Sequence, residues 1–267
     1  MYRLDRTSGR RPVRFSVGAL VLVWGLWFPG CIWPSDEPYL AAQEPPPLEL
    51  VSTAPEPGAQ DVPPNGAVVF TFDVPVHPDA VSRETVWLTA GTLDVASSRR
   101  VHLLDCSVAL RPHAPLTPLL AHRAEVVGIY GFSAGPVAEP HVVGFTTGEA
   151  TVVEPSPAAP SLQEVFTTVL AGRCASCHGG ALPPAGLDLS TVDGAAAGLI
   201  SQESPLRPGS TRVVPGRHAS SYLMWKLLAL PSIFGDGMPP DGDWPTDRSC
   251  GTTDVDLRLV ADWIDGL

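Results

Sequence analysis

The sequence predicts two folded domains, an all-β sandwich followed by a mainly α-helical domain. Proline-rich segments at residues 32–47 and 149–160 are predicted to be a spacer and a linker, and they bound the first domain. Between them, residues 48–148 show short apolar or alternating runs separated by Pro, Gly and Asp, which is typical of a β-sandwich. Residues 161–267 begin and end with apolar residues at helical spacing, so the second domain is predicted to be helical.

The five candidate strands of the first domain are residues 67–72, 85–89, 101–110, 124–129 and 141–146. In the third of these, Cys106 shares one face of the pleat with Leu104 and Val108, which places it in the sandwich core. Cys250 belongs to a loop of the other domain. We therefore expect no disulfide between Cys106 and Cys250.

Three motifs of the first domain occur in a known family. They are Pro57-Gly58 with Asp61-Val62-Pro63, Phe70-Thr71-Phe72-Asp73, and Phe145-Thr146-Thr147-Gly148. On these motifs residues 48–148 resemble a bacterial Ig-like domain. Its histidines have no ligand partner at helical or hairpin spacing, so we expect them to be surface or hydrogen-bonded residues rather than metal ligands; they are His102, His113, His122 and His141.

The N-terminus is predicted to be an export signal. Five arginines precede an apolar run from Phe15 to Phe28, an order typical of secretion, and the run is short for a membrane span. Cys31 follows Phe28-Pro29-Gly30 and is predicted to be the lipidation site of a lipoprotein signal at residues 1–31. An uncleaved anchor reaching Trp33 and ordinary cleavage are the alternatives. The protein is thus predicted to be exported and membrane-anchored, on the periplasmic side or in the cell envelope.

The charge of the chain excludes one class of partner. Its formal net charge is −11, and removal of residues 1–31 leaves 12 basic and 27 acidic residues, a net −15. Nucleic acid is therefore not an expected partner. An acidic surface favours docking to a basic face of another protein, although it also simply promotes solubility.

The most informative segment is Cys174-Ala175-Ser176-Cys177-His178. Composition alone gives about 0.002 expected occurrences of CxxCH. Two thiols at this spacing can add to the vinyl groups of one haem, and the adjacent imidazole can ligate its iron. The segment therefore predicts one covalently attached haem c at Cys174, Cys177 and His178. A redox CxxC and half of a zinc site are the alternatives, and zinc would need a second close ligand pair.

Two amphipathic helices are expected to frame this motif. Ser161 and Glu164 form a capping box before an apolar stripe that ends at Cys174. A last helix over residues 254–267, with Thr253 as its N-cap, should pack against the first.

The second axial ligand is predicted to be Met238. It lies in the rigid segment Gly237-Met238-Pro239-Pro240, sixty residues after His178. Met224 sits at helical spacing among apolar residues and is predicted to pack in the core. His218 could ligate the iron in place of Met238, or the sixth position could be open. Nearby aspartates also suggest a calcium site, although a solvated acidic loop is the simpler interpretation; they are Asp236, Asp241, Asp243 and Asp247.

Several motifs of residues 161–267 occur together in one family. They are the CxxCH motif, Gly179-Gly180, Gly186-Leu187-Asp188-Leu189, Val214-Pro215-Gly216 with Ser221-Tyr222-Leu223, Met238-Pro239-Pro240, and Asp262-Trp263-Ile264. On these motifs the segment resembles the cytochrome c domains of planctomycete and myxobacterial exported proteins. The resemblance implies a class I cytochrome c fold, a single haem with His/Met ligation, and electron transfer.

Two functions follow from these predictions. The first is a haem electron carrier, not an enzyme, that exchanges electrons with an unidentified redox partner. The second is an envelope scaffold in which the Ig-like domain binds a partner and the haem is structural. A filled sixth position disfavours a haem enzyme or gas sensor. The Pro/Ala linker predicts that the two domains fold independently and vary in orientation.

Overall fold

The computed structural model describes residues 44–153, 158–240 and 244–267. The export signal and Cys31, predicted in residues 1–31, and most of the predicted spacer lie outside these ranges. Among the described residues, none of the helices has the length and apolar character needed to cross a membrane.

Strands in the first part of the chain form two antiparallel four-stranded sheets. They are β1 (Leu50–Ala54), β2 (Val68–Phe72), β3 (Val86–Ala90), β4 (Leu93–Asp94), β5 (Ser97–His102), β6 (Ser107–Pro112), β7 (Ala121–Val126) and β8 (His141–Thr146). The strand order is β1-β2-β6-β5 in one sheet and β4-β3-β7-β8 in the other. In β2 the apolar residues Val68, Phe70 and Phe72 alternate into the core between half-exposed neighbours. The predicted β-sandwich is thus confirmed.

The predicted strand over residues 101–110 is wrong in one respect. The chain reverses at residues 103–106, so β5 and β6 form a hairpin and not one strand. Cys106 adopts a left-handed backbone conformation with φ of 48° at this turn. Its side chain is nevertheless fully buried, as predicted. No Gly or Asn marks the reversal, so the alternating pattern hides it.

Short helices joined by long loops make up the second part. They are α1 (Leu162–Val165), which continues through a π-helical segment (Phe166–Leu170) into α2 (Ala171–Arg173), then α3 (Val192–Leu199), α4 (Tyr222–Leu227) and α5 (Val255–Asp265). Ser161 caps α1 by accepting from the Glu164 amide, as predicted. The cap of α5 is Asp254 and not Thr253, and it accepts from the amides of Asp256 and Leu257. α1 packs on α5.

The two parts are joined by the turn of the β5–β6 hairpin. Cys106 and Cys250 form a disulfide with a Cα separation of 5.3 Å. Beside it the Gly251 amide donates to the Leu104 carbonyl at 2.7 Å, and Arg258 in α5 binds the Asp105 carboxylate at 2.8 Å. The expectation that Cys106 and Cys250 remain unpaired is therefore wrong.

An aromatic contact lies at the same junction. Phe132 of the sandwich meets Trp225 of α4 edge to face, with ring centroids 5.1 Å apart, and His77 lies 5.6 Å from Trp225. Residues from Glu44 to Leu267 form one compact unit. The expectation that the two domains vary in orientation is thus wrong, because a disulfide and packed aromatic rings connect them. Their independent folding stays a prediction.

Candidate functional site

A cleft lies in the helical part, and its walls are mostly apolar side chains. The CxxCH motif and Met238 both line it. The cleft lining includes Leu170, Cys174, Cys177, His178, Leu189, Leu199, Arg212, Leu227 and Met238.

The CxxCH motif continues the turn that ends α2. The Cys174 amide donates to the Leu170 carbonyl at 3.0 Å, and the Cys174 carbonyl accepts from the amides of Cys177 and His178 at 3.2 and 2.9 Å. Residues three and four apart in such a turn share one face. Cys174, Cys177 and His178 therefore all point to the same cleft. A side chain at Gly179 would bring its Cβ to 2.6 Å from the Ala175 carbonyl oxygen, which explains the glycine.

The surroundings of His178 favour its neutral imidazole form. Burial is the main cause that lowers its pKa, the backbone at Leu187 and Pro184 acts in the opposite direction, and the Arg212 guanidinium lowers it further. Its Nδ1 atom is buried without a hydrogen-bond partner among the described residues. A neutral ring is the form that ligates a metal. An imidazole that lines the cleft beside two thiols fits a site for a metal-containing group.

The two thiols of the motif are free in the described structure. Burial raises the pKa of the Cys174 thiol to about 11. A redox-active CxxC uses a thiol whose pKa is lowered instead. Cys174 is thus poorly suited to that role.

Met238 reaches the cleft from the loop that follows α4. Its amide donates to the Lys226 carbonyl at 2.8 Å. The preceding Gly237 packs so tightly that an added Cβ would lie 2.8 Å from the Ala229 side chain. The CxxCH motif and the predicted sulfur ligand therefore line one cleft, although sixty residues separate them in sequence.

The remaining two candidate ligands lie elsewhere. Met224 is fully buried in the core and does not line the cleft. His218 is also buried but sits at the junction with the sandwich, outside the cleft lining. Of the four aspartates considered for calcium, Asp241 and Asp243 lie outside the described residues, and the Asp247 carboxylate accepts from Ser249.

A cluster of His102, His218 and Asp265 was missed by the sequence interpretation. Their candidate ligand atoms lie within 4.8 Å of one another. The Leu103 amide donates to His218 Nε2 at 3.2 Å, so Nδ1 carries the proton and donates to Asp265 at 2.9 Å. Both nitrogens of His218 are satisfied, and Arg100 lies 3.1 Å from the same carboxylate. The cluster is a hydrogen-bonded junction between the two parts of the chain. Because 116 positions separate His102 from His218, no local pattern indicates it.

Lowering the pH should weaken the contact between the two parts of the chain. Burial is the main cause that lowers the pKa of both His77 and His102. The titratable and charged groups around His102 are His218, Asp265, Asp105 and Arg100, and those around His77 are Asp79 and Arg207. Protonation of His77 and His102 is thus less favourable in the folded protein than in the unfolded chain, where histidines accept a proton near pH 6.5. We expect the free energy of unfolding to be constant above that pH and to fall as the pH drops below it toward the folded-state values.

Denaturant unfolding at pH 7.5 and pH 5.5 checks this expectation. A His77→Phe/His102→Gln double variant should lose less stability between the two pH values than the wild type. Asp265 is no competing cause. Burial would raise the pKa of Asp265, but the hydrogen bonds from His218 and the charge of Arg100 hold it below the usual value. Equal pH dependence in the two proteins would contradict the assignment to these histidines.

Comparison with known proteins finds a family match for the first part of the chain. Residues 43–147 match the family described as bacterial Ig-like domain. Similar solved structures include PcoC, a methionine-rich copper resistance protein from Escherichia coli, at 18% identity and TM-score 0.32, over 38% of this chain and 98% of that one. CopC from Methylosinus trichosporium OB3b shows 14% identity and TM-score 0.32, over 39% and 99% of the two chains.

An L,D-transpeptidase from Mycobacterium smegmatis is similar over 38% of this chain and 40% of that chain, at 18% identity and TM-score 0.29. The search of curated proteins returns no match. The family match ends at residue 147, before the helical part begins. Residues 43–147 are thus similar to a bacterial Ig-like domain, in agreement with the resemblance noted in the sequence.

Proposed function

We propose that the chain is a single-haem c-type cytochrome that carries electrons in the cell envelope. The observation that supports this most directly is the common cleft lined by the CxxCH motif and Met238. Cys174 and Cys177 would hold the haem by thioether bonds, and His178 and Met238 would be its axial ligands. The haem, when bound, supplies a one-electron redox centre.

The residues of the cleft suit this role. Leu170, Leu189, Leu199 and Leu227 are almost fully buried and would keep water from the haem faces. A dry site with a thioether ligand favours the ferrous state and so raises the potential. With both axial positions filled by the protein, the iron would have no site for a substrate, which favours electron transfer over catalysis.

Location and partner belong to the same proposal. The sequence of residues 1–31 has the order of an export signal, and covalent haem attachment is expected outside the bacterial inner membrane. We therefore propose an envelope protein anchored through lipid at Cys31 or through its N-terminus. The acidic chain would dock electrostatically on a basic face of its redox partner, with association that weakens as salt is added.

Spectroelectrochemical titration of the protein matured in a host that attaches c-type haem tests the proposal. We expect one haem per chain and reversible one-electron reduction. A Cys177→Ala control should retain at most one thioether bond. A wild-type protein that matures without any haem, in a host that matures another c-type cytochrome, would contradict the proposal.

A further inference from the structure

Lys226 is the only lysine among the 267 residues of the sequence, and it is almost completely buried, with 7% of its surface exposed. Every other basic residue among the 17 is an arginine. Burial of an ammonium group is unfavourable unless the charge is well hydrogen-bonded. A leucine or methionine would fill the same place in α4 without that cost. The position therefore calls for an explanation beyond packing.

The ammonium of Lys226 binds the loop that carries Met238. Its Nζ atom donates to the Phe234 carbonyl at 2.7 Å and to the Asp236 carbonyl at 2.5 Å. The Lys226 carbonyl accepts from the Met238 amide at 2.8 Å. Lys226 thus makes three hydrogen bonds to residues 234–238, two from its side-chain ammonium and one through its backbone carbonyl.

Another hydrogen bond between α4 and this loop comes from the preceding turn of the helix. The Tyr222 hydroxyl accepts from the Phe234 amide at 2.9 Å. Tyr222 and Lys226 are four residues apart and so lie on one face of the helix. Both also line the cleft. The loop is therefore attached to the side of α4 that faces the cleft.

We infer that Lys226 is a positioning residue for Met238, whose ammonium fixes the 234–238 loop so that the sulfur is held over the cleft. Burial lowers the pKa of the Lys226 ammonium, and the nearby Asp236 carboxylate acts in the opposite direction. Charge-assisted bonds to carbonyls are stronger than neutral ones. A buried lysine thus stabilises a loop geometry that propensity alone does not determine. The consequence for the haem rests on the proposed function, whereas the ordering of the loop does not.

Lys226→Met tests the inference, because it keeps the length of the side chain and removes only the ammonium. Hydrogen exchange at the Phe234 and Met238 amides should become faster, on the order of tenfold to a hundredfold, because two charge-assisted bonds are lost. This measurement needs no haem. Tyr222→Phe should affect the Phe234 amide more than the Met238 amide.

Arg258→Met is the matched control. Arg258 also places a cation on a backbone carbonyl, that of Thr252, but lies outside the cleft. It should leave exchange at residues 234 and 238 unchanged. Lys226→Gln serves as the second variant if Lys226→Met does not fold. Unchanged exchange in the Lys226 variants would overturn the inference.

The haem-loaded protein supplies the second readout. In Lys226→Met the haem should remain attached, the ferric Met-to-iron absorption should weaken, and added imidazole should bind on the order of tenfold more tightly. Imidazole binds only the fraction of molecules in which the sulfur has left the iron, so its apparent affinity follows that fraction. Intact absorption and unchanged imidazole affinity would overturn the inference even if the loop exchanges faster.

The two proposals can be separated by these results. If the wild type takes up no haem, the cytochrome proposal fails, and the exchange data alone decide the role of Lys226.

The reactivity of the Lys226 amine directly checks its burial, because a single lysine can be followed without interference from others. An amine-specific acylating reagent should modify Lys226 slowly in the native protein and quickly after unfolding. Rapid modification of Lys226 in the native protein would contradict its proposed role as a buried residue that positions the 234–238 loop.

Discussion

Replacement of Met238 by alanine should lower the reduction potential of the haem and open its iron. The thioether favours the ferrous state, and its removal leaves Cys174, Cys177 and His178 to hold the haem. Axial ligands tune haem potentials over roughly 0.8 V, and we expect a fall on the order of 0.2 V. The ferric Met-to-iron absorption at the red edge of the spectrum should disappear, and cyanide or carbon monoxide should bind readily.

Met224→Ala is the control for this prediction. Met224 is fully buried away from the cleft, so its truncation should destabilise the fold by about 2–5 kcal/mol and leave the ligand spectrum intact. If the two variants exchange these outcomes, Met224 is the ligand. If neither variant changes the spectrum, the assignment of a methionine ligand is wrong.

Removal of the Cys106–Cys250 disulfide should produce the second large effect. The bridge closes a loop over a sequence separation of 144 residues. Loss of a native disulfide usually lowers the free energy of unfolding by about 2–5 kcal/mol, with long loops at the upper end. We expect a loss of this size in Cys106→Ala/Cys250→Ala, measured by denaturant unfolding. The ion pair between Arg258 and Asp105 is partly exposed, so Arg258→Met should cost about 1 kcal/mol or less.

The same bridge determines the outcome of cleavage in the linker. A protease that cuts between Gly148 and Ser161 should yield two fragments that stay together on a non-reducing denaturing gel and separate on a reducing one. The double alanine variant should separate under both conditions. Two free thiols at Cys106 and Cys250 in the unreduced wild type would contradict the bridge.

Much of this fold can be predicted from local sequence patterns. The alternation of Val68, Phe70 and Phe72 fixes which face of β2 is buried, and Ser161 marks the start of α1 by its side-chain chemistry. The CxxCH motif can be recognised because Cys174, Cys177 and His178 lie within five residues of sequence. Each of these signals spans a few residues, where geometry is set by neighbours in the chain.

The features that sequence reasoning missed are contacts between distant segments. The sequence predicts that Cys106 lies in the core, but its disulfide partner is 144 residues away on a loop without a distinguishing pattern. His218 looked like an isolated candidate ligand, whereas its ring bonds the Leu103 amide and Asp265. No sequence pattern indicates the role of Lys226, because its partners are backbone carbonyls, which every residue carries. Tertiary packing, not local propensity, selects such partners.

The most direct test of the central claim is the intact mass of the denatured protein after maturation in a host that attaches c-type haem. The account predicts that the wild type carries one haem that survives unfolding and organic extraction, and that Cys174→Ala/Cys177→Ala carries none. A wild-type chain with no added haem mass, or a double variant that retains it, would contradict the proposal that Cys174 and Cys177 attach a haem.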